Sequence, residues 1–232
     1  QPIYNNRTRR VEKYECLIRL RDTDNQVIPP MTFLGISKKS KLYPRLTRTM
    51  VEQCMEAFRD LPYEFSLNLS IEDILEEHTH QFILDRLRAN PDLGKRMVFE
   101  IVESEGIGNF TLITDFIRRV KEFGCKIAID DFGSGFSNFE YILKLAVDYI
   151  KIDASLIRLL DQDRNAQALT ESIIVICRKL SLKTIAEFVH SPEVFAKVCE
   201  LGIDYSQGYY LGPPMEKVLP PGQSPATDPR AT

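Results

Sequence analysis

Residues 109–131 read NFTLITDFIRRVKEFGCKIAIDD, and their pattern predicts one helix followed by one strand. Apolar residues recur every three or four positions through residues 110–123, which predicts a helix with one apolar face. Asn109 can cap the start of this helix, and Gly124 can adopt the left-handed conformation that ends it. The run 126–130 that follows is short and apolar, and it predicts a buried strand.

The same alternation continues along the whole chain. Strands are predicted at 1–5, 14–20, 64–69, 97–103, 126–130, 147–152, 183–188 and 203–211. Helices are predicted at 43–60, 71–89, 109–123, 136–145, 164–180 and 192–201. This pattern indicates an α/β protein, and eight strands favour a TIM-like (β/α)₈ barrel over an open sheet. Residues 6–13 are too few for a helical crossover, so the first strand is predicted to be antiparallel.

Length and composition agree with one barrel. The 232 residues are expected to form a folded domain at 1–215 and a Pro-rich, unfolded tail at 216–232. The formal net charge of −3 argues against DNA or RNA duplexes and membrane surfaces as partners. Five scattered cysteines argue against a disulfide framework, so we expect a reducing, cytoplasmic location. A chain that starts at Gln1 is expected to be part of a longer protein.

Acidic, amide and amine side chains lie within or at the ends of the predicted strands. Any one of them is more often a helix cap or a solvated loop residue, but the carboxyl ends of barrel strands meet at one rim, and five consecutive strands each deliver such a residue there. Clustered carboxylates repel one another unless cations bind, and oxygen ligands select Mg²⁺, Mn²⁺ or Ca²⁺. The adjacent pair Asp130 and Asp131 can reach the rim together where the strand ends, so one of them can bridge two metals. The residues concerned are Glu15, Asn68, Glu100, Glu103, Asp130, Asp131, Lys151, Asp153 and Glu187.

Seven ordered motifs spread over residues 1–214 resemble the EAL domain family of cyclic di-GMP phosphodiesterases. They are Glu15-Cys16-Leu17 with Ile18-Arg19, Asn68-Leu69-Ser70, Glu100-Ile101-Val102-Glu103, Asp130-Asp131-Phe132-Gly133, Lys151-Ile152-Asp153, Glu187-Phe188-Val189 and Gln207-Gly208-Tyr209. Two positions depart from the family pattern. Cys16 replaces the alanine of the E-A-L signature, and His190 replaces the second glutamate of E-G-V-E. His190 removes a negative charge near the expected second metal.

The resemblance implies two Mg²⁺ or Mn²⁺ ions, with Ca²⁺ inhibitory. The first ion would take Glu15, Asn68, Glu100 and Asp130, and the second would take Asp130, Asp131 and Glu187. Lys151, Glu187 and Glu103 would serve catalysis, with Lys151 at the water around the metals and Glu103 holding the loop after the fifth strand. Leu17, Arg19 and Gln207 would bind substrate.

The implied reaction is hydrolysis of cyclic di-GMP to linear pGpG. Two alternatives stay open at this point. One is a sensor domain that binds cyclic di-GMP with little or no cleavage, and the other is a partner domain that neither binds nor cleaves it. The family also implies a homodimer and an upstream sensory or diguanylate cyclase domain.

Overall fold

The structure is a computed structural model that describes residues 1–102, 110–135 and 139–222. The strands are β1 (Pro2–Asn5), β2 (Arg10–Cys16), β3 (Leu20–Arg21), β4 (Val27–Ile28), β5 (Glu64–Asn68), β6 (Met97–Val102), β7 (Lys126–Phe132), β8 (Tyr149–Ile152), β9 (Lys183–Ala186) and β10 (Tyr205–Ser206). The helices are α1 (Pro30–Lys39), α2 (Tyr43–Ala57), α3 (Ile71–Leu75), α4 (Glu77–Ala89), α5 (Pro91–Gly94), α6 (Phe110–Glu122), α7 (Phe139–Lys144), α8 (Ala154–Ile157), α9 (Arg164–Lys179) and α10 (Pro192–Leu201).

Eight strands close into a barrel in the order β1-β10-β9-β8-β7-β6-β5-β2. β1 is antiparallel to both of its neighbours, β2 and β10, whereas the other neighbouring pairs are parallel. The predicted TIM-like barrel with an antiparallel first strand is therefore confirmed. The hairpin between β1 and β2 is tight because the Asn5 side chain accepts hydrogen bonds from the backbone of Arg7 and Thr8.

Several predicted boundaries were wrong. The second strand ends at Cys16 rather than at residue 20, because the chain then leaves the barrel and forms the separate β3–β4 hairpin. The predicted helix 71–89 is interrupted at Glu76, whose extended backbone and side-chain cap start α4 afresh. Helix α1 was not predicted, since Ser37 is its buried residue while Met31 and Ile36 are exposed. The last strand is shorter than predicted and spans only Tyr205–Ser206.

The barrel interior is layered. Strand residues alternate between the two faces, so apolar residues facing outward pack under the helices while their neighbours fill the barrel. The middle layer inside is a small apolar cluster of Ile3, Val98, Ala128, Tyr149 and Ile185. Beneath it, towards the amino ends of the parallel strands, Lys13 and Lys126 both form ion pairs with Glu64. This lower end is thus packed and charge-paired, which leaves the carboxyl rim as the open end of the barrel.

The segment 215–218, which follows the last barrel strand, lies against the folded domain. Met215 and Val218 pack against the main hydrophobic core, and Glu216 forms an ion pair with Arg21 at 2.9 Å.

Within the described ranges, no helix has both the length and the hydropathy needed to cross a membrane.

Candidate metal and phosphodiester site

The strand register brings the predicted polar residues to one end of the barrel. Asn68 lies opposite Glu100 in the β5–β6 pair, and Asp130 lies opposite Val102 in the β6–β7 pair. Glu187 directly follows β9, and Gln207 directly follows β10. Residues far apart in the sequence therefore meet at the carboxyl rim, as expected for an active site on this fold.

Lys151 lies at the centre of four carboxylates. Its side chain is 1% exposed, and its Nζ lies 2.6 Å from Glu100 Oε2 and 2.8 Å from Glu187 Oε1. The same nitrogen lies 2.9 Å from Asp130 Oδ1 and 3.4 Å from Glu15 Oε2. One buried ammonium group is thus shared by carboxylates from four different strands or strand ends.

The acids form two overlapping groups. Glu15, Glu100 and Asp130 each offer an oxygen such that the three atoms lie within 4.8 Å of one another. Asp130, Asp131 and Glu187 form a second group by the same measure, so Asp130 belongs to both. This arrangement can hold two cations that share one bridging carboxylate.

The backbone at Asp131 explains how two consecutive aspartates reach the same rim. On a regular strand, successive side chains face opposite sides. Asp131 instead adopts the left-handed conformation, with φ of 56°, and the pairing of β7 with β8 shifts register between Ile129 and Phe132. This local departure from the pleat turns the second carboxylate towards the first.

Burial and mutual repulsion change the acidities of three carboxyl groups. Desolvation raises the pKa of Glu100 well above its usual range, and Glu15 and Asp130 raise it further against the opposing effect of Lys151. Desolvation likewise raises the pKa of Glu187, to about 8. The pKa of Asp131 is raised by desolvation and then by Asp130. These three groups hold protons more readily than ordinary carboxylates. A nearby positive charge would favour their ionised forms and lower their pKa values.

Glu15 shows the opposite behaviour. Burial alone would raise its pKa, but the charge of Lys151 and hydrogen bonds from Gln207 and Asn68 together lower it. Asn68 Nδ2 donates to Glu15 Oε1 at 3.0 Å, and Gln207 Nε2 donates to Glu15 Oε2 at 2.6 Å. Both carboxylate oxygens are therefore held in place in the ionised form.

The comparison with protein families identifies the family to which this fold belongs. Residues 1–214 match the family model described as EAL domain. The chain belongs to the EAL domain family.

Two curated relatives of this EAL domain are named cyclic di-GMP phosphodiesterases. PdeB of Shewanella oneidensis is 28% identical over 210 residues, which cover 88% of this chain and 24% of the relative. PdeA of Borreliella burgdorferi is 31% identical over 202 residues, which cover 85% of this chain and 30% of the relative. The chain therefore spans only about a quarter to a third of the length of these two relatives.

A solved structure of similar fold is the FimX EAL domain from Pseudomonas aeruginosa bound to c-di-GMP. It matches with a TM-score of 0.84 at 25% identity, over 92% of this chain and 88% of that chain.

The residues predicted to contact substrate lie beside the carboxylate cluster of the EAL domain. Leu17 and Arg19 line a cavity of about 680 Å³ that also includes Glu15. The Arg19 guanidinium is exposed and donates a hydrogen bond to the carbonyl of Ile18 at 2.8 Å. Gln207 is buried and directed at Glu15, so in this structure it supports a carboxylate at the floor of the site. Glu103, predicted to be catalytic, lies outside the described residues.

Two rim residues do not join the cluster. Asp153, which was expected to end a strand with its carboxylate at the rim, instead caps α8 by accepting a hydrogen bond from the Ser155 N–H at 2.9 Å. An acid followed by a short helix satisfies the helix terminus locally. His190 is exposed, and its ring contacts Phe188, at 5.5 Å between ring centroids.

Sequence reasoning missed two contacts at this end of the barrel. Gln1 Oε1 accepts a hydrogen bond from Gln207 Nε2 at 3.1 Å, which links the first residue to the support of Glu15. Arg158 lies over the Phe188 ring, 4.7 Å from its centroid. The sequence does not predict either contact, because each joins two segments that are far apart in the chain and that only the folded barrel brings together.

Proposed function

We propose that this EAL domain hydrolyses cyclic di-GMP to linear pGpG with the help of two Mg²⁺ or Mn²⁺ ions. The observation that carries the proposal is that two sets of three carboxylates have Asp130 in common. Asp130 also contacts the buried ammonium group of Lys151. A shared carboxylate is what a two-metal phosphodiesterase requires, because both cations must act on the same phosphodiester.

The donor set and the charge balance both fit bound cations. The two groups together contain five carboxylates, four of which contact the one ammonium group of Lys151, so the cluster has more negative than positive charge when all its members are ionised. The donors are oxygens, which suit hard divalent cations. The first ion would take Glu15, Asn68, Glu100 and Asp130. The second ion would take Asp130, Asp131 and Glu187.

When bound, such ions would polarise the phosphate oxygens and lower the pKa of the attacking water towards neutrality. The protein's own residues would then hold and orient the substrate. Arg19, an exposed residue that lines the adjoining cavity, would pair with a phosphate, and Leu17 would contact the nucleotide beside it. Gln207 would act by keeping Glu15 ionised and fixed. Glu103 would hold the loop that follows β7.

Lys151 would orient the attacking water and offset the negative charge that develops on the phosphoryl oxygens. Water adds to phosphorus, the bond to one ribose 3′ oxygen breaks, and that oxygen leaves with a proton, which opens the ring to pGpG. Loss of one preorganised donor of this kind typically lowers kcat about 100- to 1000-fold. We expect this loss in Lys151→Met wherever the variant is folded and metal-loaded.

The decisive experiment incubates the purified protein with cyclic di-GMP and Mg²⁺ or Mn²⁺ and separates the products by chromatography. We expect pGpG with either ion and none with Ca²⁺ alone. Calorimetry with cyclic di-GMP should be run alongside. Intact binding without pGpG would replace the enzyme with a sensor domain, and neither binding nor cleavage would contradict both functions.

Substitutions at the shared carboxylate test the metal assignment. Calorimetry should find two Mn²⁺ bound to the wild type, one to Glu100→Gln, and none bound tightly to Asp130→Asn, because Asp130 belongs to both groups. Asp153→Asn is the matched control, since it removes a nearby acid whose role is helix capping and asparagine caps as well as aspartate. Equal metal loss in the Asp130 and Glu100 variants would argue against a bridging role.

We further propose that residues 1–215 are the functional unit, with residues 216–232 as a tail. We propose a homodimer and an upstream sensory or diguanylate cyclase domain in a longer cytoplasmic protein. The family resemblance supports these proposals, and the size of the curated relatives is consistent with further domains.

A further inference from the structure

Helix α1 presents apolar side chains to solvent instead of burying them. Met31 is 97% exposed and Ile36 is 67% exposed, whereas the buried residue of the helix is Ser37. At about 3.6 residues per turn, Gly35 and Lys39 lie on the side of the helix opposite Ser37. Met31 and Ile36 flank that outward side. A Cβ atom added at Gly35 would meet no atom of the other described segments within 4 Å, so the outward side is open there.

The segment that contains α1 is strongly basic. Residues 25–51 contain no aspartate or glutamate, although the chain as a whole has a formal net charge of −3. They contain five basic residues, which are Lys38, Lys39, Lys41, Arg45 and Arg48. The first four of these are exposed. The charge of the whole chain argued against membrane surfaces as partners, but it does not reflect this local concentration of positive charge.

The turn after α1 keeps basic residues close to exposed apolar ones. Lys41 adopts the left-handed conformation, with φ of 58°, and the Leu42 N–H donates a hydrogen bond to the Ser37 carbonyl at 3.0 Å. Lys38 Nζ lies 5.0 Å from the centroid of the Tyr43 ring at the start of α2. Leu42, within this turn, is 52% exposed. Residues 38–42 are therefore held beside the last turn of α1.

Ordinary explanations account for only part of this surface. Lysines are common in the last turn of a helix because they complement its dipole, which explains Lys38 and Lys39 but not the exposed Met31. Lysine and arginine side chains alone would suit a nucleic acid, but contact with its phosphates does not bury apolar side chains. A second copy of this chain is a poor partner, because a symmetric contact would place two basic surfaces against each other.

We propose that residues 31–45 dock this domain on a lipid bilayer that contains anionic lipids. Met31 and Ile36 would enter the layer of lipid headgroups. Lys39, Lys41 and Arg45 would contact the lipid phosphates. Helices that lie in the membrane interface combine these two features, because apolar burial and attraction to anionic lipids add to each other. The inference goes beyond the proposed hydrolysis, since none of these residues belongs to the proposed metal or substrate site.

The test uses the purified full chain and vesicles of two compositions, phosphatidylcholine alone and equal parts of phosphatidylcholine and phosphatidylglycerol. Flotation should recover the chain with the anionic vesicles only, and added salt should weaken binding by screening the charges. The chain contains no tryptophan, so Met31→Trp supplies a single fluorescent reporter. We expect its emission to shift to shorter wavelength when anionic vesicles are added, because the indole leaves water.

Charge and apolar contact are then tested separately. Each lysine near an anionic surface contributes about fivefold in affinity, so Lys39→Gln combined with Lys41→Gln should weaken binding about 30-fold. Ile36→Gln should weaken it about tenfold, as expected for the loss of one partly buried apolar side chain. Circular dichroism melts identify any variant that fails to fold, and the lysine variant remains informative if Ile36→Gln does not fold.

Leu169→Gln combined with Lys179→Gln is the matched control. Both residues are exposed on α9, with Leu169 at 57%, and that helix also contains Glu171. This variant should bind anionic vesicles as the wild type does, and the emission of Leu169→Trp should not shift. The proposal is overturned if the chain binds neither kind of vesicle or both equally, or if the lysine variant keeps wild-type affinity. It is also overturned if the α9 variant loses affinity equally. Binding to heparin without a shift in Met31→Trp emission on vesicles would replace the bilayer with a soluble polyanion.

Discussion

Replacing Lys151 with methionine would remove the ammonium group from the centre of four carboxylates while keeping a side chain of similar length. Lys151 Nζ lies within 3.4 Å of an oxygen of Glu15, Glu100, Asp130 and Glu187. Breaking a buried ion pair by removing one partner typically costs about 3–5 kcal/mol, because the remaining charge stays buried and uncompensated. For a chain of this size, we expect the melting temperature to fall by about 6–20 °C.

The assay measures the free energy of unfolding of the wild type and Lys151→Met in urea, with circular dichroism as the signal. Each protein is unfolded once in a chelator and once in excess Mn²⁺. In the chelator, we expect the largest loss of stability above about pH 8, where Glu187 is ionised, and a smaller loss near pH 5, where it holds a proton instead. Mn²⁺ should restore most of the lost stability, since a ligand present at about 1000 times its Kd contributes about 4 kcal/mol.

Lys183→Met is the control. The Lys183 side chain is 59% exposed and pairs with Asp204 at 2.7 Å, so its loss should cost less than about 1 kcal/mol. If Lys151→Met in the chelator were within about 0.5 kcal/mol of the wild type, a typical effect of a neutral surface change, the ammonium would not balance the cluster. If Mn²⁺ stabilised neither protein, the carboxylates would not form a metal site.

Three further predictions concern the same end of the barrel. The pKa of Glu187, raised to about 8 from an ordinary value of 4.5, gives the metal-free protein stability that is full below about pH 4.5 and is lost as the pH rises through about 8. Chemical denaturation in a chelator across this range should show the decline, and Glu187→Gln should flatten it. Gly208→Ala should destabilise by about 3 kcal/mol or more, because its Cβ would lie 2.1 Å from the Val189 carbonyl oxygen; wild-type stability in thermal melts would refute this clash. Asn68→Ala should weaken Mn²⁺ binding about 10- to 100-fold in calorimetry, since Asn68 also holds Glu15 in place; an unchanged affinity would remove Asn68 from the site.

Much of the fold could be predicted because it rests on local periodicity. The apolar spacing of residues 110–123 corresponds to α6, and the run that follows corresponds to β7. The antiparallel first strand followed from connection length alone, since residues 6–13 cannot hold a crossover helix. Predictions failed where local patterns mislead. In α1, exposed apolar residues and one buried serine invert the usual amphipathic order, so the helix was missed.

The sequence predicted which residues lie together at the rim, but it did not predict which of their atoms are in contact. Strand ends of a parallel barrel meet at one rim, so Glu15, Glu100 and Asp130 could be grouped from the sequence. The same rule placed Asp153 there, although it caps a helix instead.

The sequence by itself determined the main alternation of strands and helices, the barrel class and the set of acidic and amide side chains at the strand ends, because each depends on residue type and short-range spacing. Only the tertiary structure decided that Lys151 would be shared by four carboxylates and that Asp131 would turn beside Asp130. These features depend on strand register and packing, which set distances between atoms that the chain itself keeps far apart.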